Sequence, residues 1–265
     1  MTPRIIFIVP YRDRQQQYLF FRKQIKYVLE DMPEDDYKIL YIHQCDQRGF
    51  NRGALKNIGF LFVKNTYPET YHNITLVFND VDTIPYEKNF INYETHPGKF
   101  KHFYGFKYAL GGIVSICACD FEKINGFPNY WAWGYEDNAL QDRALEYKIE
   151  IDRSQFYPLM DKNIMHFGDG FEKEVNRKEF DRFLNKSQEG IYSLTGLVYE
   201  FEEETGFVQV RDFHTGTIED TKLTRIHDIR SGPRPYKEIR RNSSVGGNSI
   251  FPLAPLVRGR PMVLK

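Results

Sequence analysis

The chain has 265 residues, 41% hydrophobic and 16% aromatic, which is enough apolar material for one full-size folded domain and excludes wholesale disorder. Its 36 basic and 36 acidic side chains cancel, so it lacks the electrostatic footprint of a dedicated nucleic-acid binder, and any anion must be held by a local group of cations. Three cysteines (Cys45, Cys117, Cys119) are too few for a disulfide framework and point to a reducing compartment.

The first apolar run, Ile5–Val9, is far too short for a membrane span and reads as a strand. With no signal or anchor in view, the expected location is cytoplasmic, unless the chain is a catalytic domain excised from a longer parent. A helix is expected over 15–29, its apolar face carrying Leu19, Ile25, Val28 and Leu29 and its end set by Pro33. Strand 37–42, helix 52–64 and strand 74–79 follow. This βαβαβ order predicts an α/β domain with a central, mostly parallel sheet. Ligands of such sheets bind at the carboxyl ends of strands, which selects the loops after Val9, Ile42 and Phe78.

A further buried strand is expected from Ile113 to Cys119, where strand geometry would send Cys117 and Cys119 to opposite faces. A Gly/Pro/Trp-rich loop at 125–135, a helix at about 136–147 and two short strands within 197–213 come next. The catalytic domain is placed at 1–220, followed by a basic Pro/Gly/Ser-rich tail at 221–265, poorly ordered or draped over the surface.

The strand Leu76-Val77-Phe78-Asn79 ends in Asp80-Val81-Asp82. Two carboxylates one residue apart at a strand end can hold a hard divalent cation, which in turn neutralises a diphosphate; the same two acids could simply make a turn. Glu136 and Asp137 open a helix, where the positive end of the dipole favours ionised carboxylates and where acids also serve as ordinary caps. Trp131 and Trp133, flanked by Pro128 and Gly134, suit a sugar platform or lid, though tryptophans are also core residues. Arg12, Arg14 and Arg52 lie in strand-following loops, where guanidinium groups can grip diphosphate oxygens.

Four ordered motifs carry a specific likeness: Ile8-Val9-Pro10-Tyr11-Arg12-Asp13-Arg14, Phe50-Asn51-Arg52, Phe78-Asn79-Asp80-Val81-Asp82-Thr83-Ile84-Pro85 and Trp131-Ala132-Trp133-Gly134-Tyr135-Glu136-Asp137. With Gly111-Gly112 and Asn125-Gly126-Phe127-Pro128-Asn129 between the last two, the stretch from about residue 5 to 195 resembles the β-1,4-galactosyltransferase family. That resemblance implies a GT-A-like Rossmann-type fold and an inverting transfer of galactose or an N-acetylhexosamine from a UDP-sugar to a hydroxyl of a carbohydrate or glycoconjugate acceptor, with Mn²⁺ or Mg²⁺. It implies Asp137 as base with Glu136 beside it, and a donor site of Pro10, Tyr11, Arg12, Arg14, Asn51, Arg52, Asp80, Val81, Asp82, Gly111, Gly112 and Trp133. Acceptor contacts would come from Trp131, Tyr135 and Asn138, the last standing where the family has an aspartate. Metal ligands would be Asp82 and His166, with Asn163 or Met165 as a third. Ala109 occupies the position of a donor-selecting tyrosine, which implies a roomier pocket around the sugar 2-position, and Ala132 replaces a glycine, which stiffens the tryptophan loop. A retaining polypeptide N-acetylgalactosaminyltransferase-like enzyme and an idle sugar-binding module are the alternatives.

Overall fold

The computed structural model describes residues 2–168, 170–232 and 234–236. In chain order the elements are β1 (Ile5–Tyr11), α1 (Gln15–Val28), β2 (Tyr37–Gln44), α2 (Arg52–Thr66), β3 (Thr75–Asn79), β4 (Thr83–Pro85), β5 (Lys99–Gly105) and β6 (Ile113–Cys117). There follow α3 (Ala118–Lys123), α4 (Glu136–Glu146), β7 (Glu150–Asp152), β8 (Tyr157–Pro158), β9 (Ile164–His166), β10 (Glu172–Asn176) and α5 (Arg177–Leu184). The last are β11 (Thr195–Glu202), β12 (Phe207–His214) and β13 (Thr224–Asp228).

One nine-stranded sheet runs β11-β12-β2-β1-β3-β6-β5-β7, with β8 also on β5. Its centre is parallel, β12 with β2, β2 with β1 and β1 with β3, whereas β3–β6, β6–β5 and the β11–β12 hairpin are antiparallel. Strand periodicity explains the two cores. Ile5, Phe7 and Val9 of β1 face Phe21, Ile25 and Val28 of α1, while Ile6 and Ile8 face Leu55 and Ile58 of α2.

The inner face of α1 is Tyr18, Phe21, Ile25 and Val28. Leu19, expected on that face, is 56% exposed, because the 3.6-residue register set by Ile25 passes through 18 and 21 rather than 19. The strand expected to reach Cys119 ends at Cys117, and Ala118 begins α3. The helical turn brings the two sulfurs within 3.2 Å of each other instead of to opposite faces. The stretch assigned to the tail begins with structure, since β13 pairs antiparallel with β10; residues 237–265 of that tail lie outside the described residues. Among the described residues no helix is long and apolar enough to cross a membrane.

Candidate active site

The Asp80-Val81-Asp82 turn is built by Asn79, the buried last residue of β3, whose amide donates to the carbonyls of Asp80 and Thr83 at 2.8 Å each. The Thr83 N–H closes back on the Asp80 carbonyl at 3.1 Å, and the Asp80 N–H donates to Gly112 at 3.1 Å. Beyond the turn, β4 pairs with β9 in a short ribbon that sets Thr83 opposite His166. The Phe167 N–H then reaches the Asp82 carbonyl at 2.7 Å, so a residue 85 positions further along the chain arrives beside the aspartate pair. The Tyr104 hydroxyl lies 3.1 Å from His166 Nδ1, which orients the ring and leaves Nε2 for another partner.

Burial, and then the neighbouring Asp80, push the Asp82 carboxyl above its usual range, against the pull of His166, Arg52 and Lys173. Such a carboxylate gains from a nearby cation, and an oxygen-plus-imidazole donor pair is chemically suited to Mn²⁺. Asn163 and Met165 do not line the same cavity. The Asn163 amide donates to Asp161 at 2.9 Å, and Met165, alternating with His166 along β9, packs against the α1-side core. Among the described residues no group of three or more His, Cys, Asp or Glu is placed to hold a metal ion; Asp82 and His166 are the two expected ligands that line one cavity.

These residues open onto a cavity of about 900 Å³. Its wall also carries the first turn of α4, entered through Tyr135, a non-glycine residue in the left-handed region (φ 72°). That entry turns Glu136 inward, 4% exposed, and places Asp137 against the Gly111 backbone, with the Leu110 N–H on the Asp137 carbonyl at 3.0 Å. A Cβ on Gly111 would fall 2.1 Å from Asp137 Oδ2, so only glycine leaves the carboxylate its position. From α2, Arg52 Nη1 stands 3.7 Å from Glu136 Oε1 and Lys56 Nζ stands 3.3 Å from Asp137 Oδ1. Burial pushes the Asp137 carboxyl up to about 7 although Lys56 and Arg52 oppose it, and Glu136 and Asp80 add to the rise.

Pro10, Arg12, Arg14 and Arg52 line the cavity, as do Ala109, Gly111, Gly112, Trp133, Tyr135 and Asn138. Three expected contacts do not. Tyr11 packs edge-on against Tyr18, His43 and Phe207. Asn51 is fully buried as the cap of α2, accepting from the Ala54 N–H at 2.9 Å and donating to the Asn129 carbonyl at 3.2 Å. Trp131, read as an acceptor contact, is 2% exposed, stacks on Phe213 and donates its indole N–H to the Thr217 carbonyl at 3.0 Å. The left-handed Ala132 (φ 83°) turns the chain between the two tryptophans, so Trp131 enters the core and Trp133 faces the cavity. Two cations not singled out from the sequence belong to the site. Lys173 of β10 lines the cavity, its ammonium held below the usual lysine range by burial and Arg52, and Lys56 lies beneath Asp137.

Residues 2–94 match the family model described as the N-terminal region of glycosyl transferase group 7, and residues 96–167 match that described as the N-terminal domain of galactosyltransferase. β-1,4-Galactosyltransferase 1 of Mus musculus is 29% identical over 220 residues, 78% of this chain and 54% of the relative. β-1,4-Galactosyltransferase 4 of Homo sapiens is 32% identical over 160 residues, 57% of this chain and 45% of the relative. The chain thus spans about half the length of the curated relatives it matches. Among solved structures, the catalytic domain of Drosophila β-1,4-galactosyltransferase 7 in complex with xylobiose superposes with a TM-score of 0.65 at 19% identity, covering 83% of this chain and 96% of that one. A structure of a mutant of that Drosophila enzyme, in complex with manganese, UDP-Gal and xylobiose, gives a TM-score of 0.64 at 19% identity over the same shares. The fold is therefore of the GT-A type, and with two adjacent family models spanning the motif-bearing stretch, this chain belongs to the β-1,4-galactosyltransferase family.

Proposed function

We propose that this chain is a metal-dependent, inverting hexosyltransferase that moves galactose or an N-acetylhexosamine from a UDP-sugar to a hydroxyl of a carbohydrate or glycoconjugate. The observation that carries this reading is that Asp137, the Asp82–His166 pair and the arginines Arg12, Arg14 and Arg52 all open onto one cavity. In this reading Asp137 Oδ takes the proton of the acceptor hydroxyl. The freed oxygen pair forms the new bond to the anomeric carbon, and the bond to the diphosphate breaks with its electrons going to UDP. Asp82 and His166 would hold Mn²⁺ or Mg²⁺, which neutralises charge on the departing diphosphate. Arg12, Arg14, Arg52 and Lys173 bind the same phosphates as fixed cations, and burial of the pocket strengthens each contact.

Tyr135 and Asn138 form the acceptor side and Trp133 stays with the donor, and the Asn138 amide, tied to the Tyr108 carbonyl at 3.0 Å, is held in one orientation. Ala109 lies in the cavity wall with Tyr108 beside it, which supports a donor pocket wide enough for a 2-acetamido group. Family membership weighs against the retaining alternative, and an idle sugar-binding module is disfavoured because Asp82 and Asp137 are both present. The test is release of UDP from a panel of UDP-sugars with Mn²⁺ and simple glycoside acceptors, with the anomeric configuration of the product read by NMR. No release from any donor, or an α-linked product from an α-linked donor, would overturn the reading.

A further inference from the structure

The buried part of α2 is mostly apolar, with two polar side chains in it, the Asn57 amide and the Lys56 ammonium. Lys56 lies among Ala54, Leu55 and Ile58, with its side chain 2% exposed. A charge removed from water in this way is costly unless it is paired. Its pairing partner is Asp137, with Nζ 3.3 Å from Oδ1, and the same ammonium sits over the Phe127 ring at 4.5 Å. One turn earlier on the same face, Arg52 faces Glu136 at 3.7 Å. Two cations four residues apart on α2 therefore meet the first two residues of α4, a match in spacing that fixes how α4 docks.

The charged groups facing Asp137 are Lys56 and Arg52 from α2, Glu136 from its own helix and Asp80 from the turn after β3. Two of these are anions that disfavour a further negative charge, and Lys56 is the cation in contact. We infer that Lys56 is a positioning residue for the proposed base: its buried ammonium holds the Asp137 carboxylate in one rotamer and favours the ionised form that accepts a proton. The inference rests on the reading of Asp137 as base. Lys56 itself stays protonated throughout, because Asp137, Asp80 and Glu136 together outweigh its burial and raise its own affinity for the proton.

The experiment compares the parent with Lys56→Met and Lys56→Arg. The Asp137 carboxyl carbon is followed by NMR in aspartate-labelled protein, with the signal assigned by its loss in Asp137→Asn, and kcat for UDP release is measured against pH. Lys56→Met should raise the Asp137 midpoint by about 1–3 units, the range for losing an adjacent opposite charge, and move the acid limb of kcat with it. Lys56→Arg, which keeps the charge, should restore most of the midpoint. An unmoved midpoint in folded Lys56→Met would overturn the inference. If that variant is too unstable for NMR, the unfolding cycle with Asp137→Asn decides: a Lys56→Met cost that is the same with Asp or Asn at 137 overturns the pairing, and a smaller cost with Asn supports it. The NMR titration needs no turnover, so failure of the transferase reading and failure of this inference are separate results.

Discussion

Gly111→Ala tests whether the place of the Asp137 carboxylate governs turnover. The added Cβ would sit 2.1 Å from Oδ2, 2.6 Å from Cγ and 3.2 Å from the Cβ of Asp137, and real Cβ contacts stay beyond 3.0 Å. The carboxylate must therefore retreat by about 1 Å or rotate away from the Lys56 ammonium that it meets at 3.3 Å. A displacement of about 1 Å in a group that acts at the reacting atoms costs on the order of a hundredfold, or about 2.7 kcal/mol of transition-state stabilisation. Gly111 has no left-handed backbone to strain, so the fold should survive, unlike at Gly112, where φ is 75° and a Cβ would meet the Tyr104 carbonyl at 2.4 Å. The assay is kcat for UDP release at saturating donor, with donor affinity from calorimetry and a thermal melt as control. Turnover near the parent's in a folded Gly111→Ala protein would refute the placement of the base.

Four further outcomes follow from the same geometry. Asp137→Asn should keep donor binding and lower kcat by at least about a hundredfold, the loss expected for a general base, as read by steady-state kinetics. In the parent, kcat should rise with pH through about 7, because the carboxyl pushed up by burial must lose its proton to act; a profile flat from pH 5.5 to about 8.5 would contradict this. Asp82→Ala should abolish Mn²⁺-dependent binding of a UDP-sugar in calorimetry while leaving the melting curve near that of the parent, since its side chain serves the cavity rather than the core. Ala109→Tyr should narrow donor use toward UDP-Gal, shifting the ratio of initial rates for UDP-GalNAc and UDP-Gal by tens to about a hundredfold, the range for filling such a space.

Local patterns were readable where they repeat along one element. The unbroken apolar run Ile5–Val9 announces a strand buried on both faces, and Asp80-Val81-Asp82 after an apolar strand announces a cleft of carboxylates. What stayed hidden depends on partners remote in sequence. Asn51 looks like a nucleotide contact until its amide is seen capping α2 and holding Asn129, and Trp131 looks like a platform until β12 supplies Phe213 beneath it. Lys56 reads as an ordinary surface lysine, because the carboxylate that justifies its burial lies 81 residues away. Lys173 gives no local signal at all, since β10 exists only through pairing with β13, a strand drawn from what composition marks as tail. The Cys117–Cys119 spacing misleads for a simpler reason, the change of period from 2 to 3.6 between them.

The edge of the main sheet carries a consequence for how the chain comes to be folded. β12 pairs with β2 in a register that joins His43 to Gln209, and their side chains are bonded at 2.6 Å. During synthesis β2 emerges long before β12, so an open edge of Tyr41, Ile42 and His43 must wait for a strand more than 160 residues downstream. Contacts of such separation fold slowly and leave the exposed edge able to pair with other chains in the interval. A fragment that stops before β11 would keep every cavity residue up to His166 and still be an aggregating species, because the hairpin that seals the sheet would be missing.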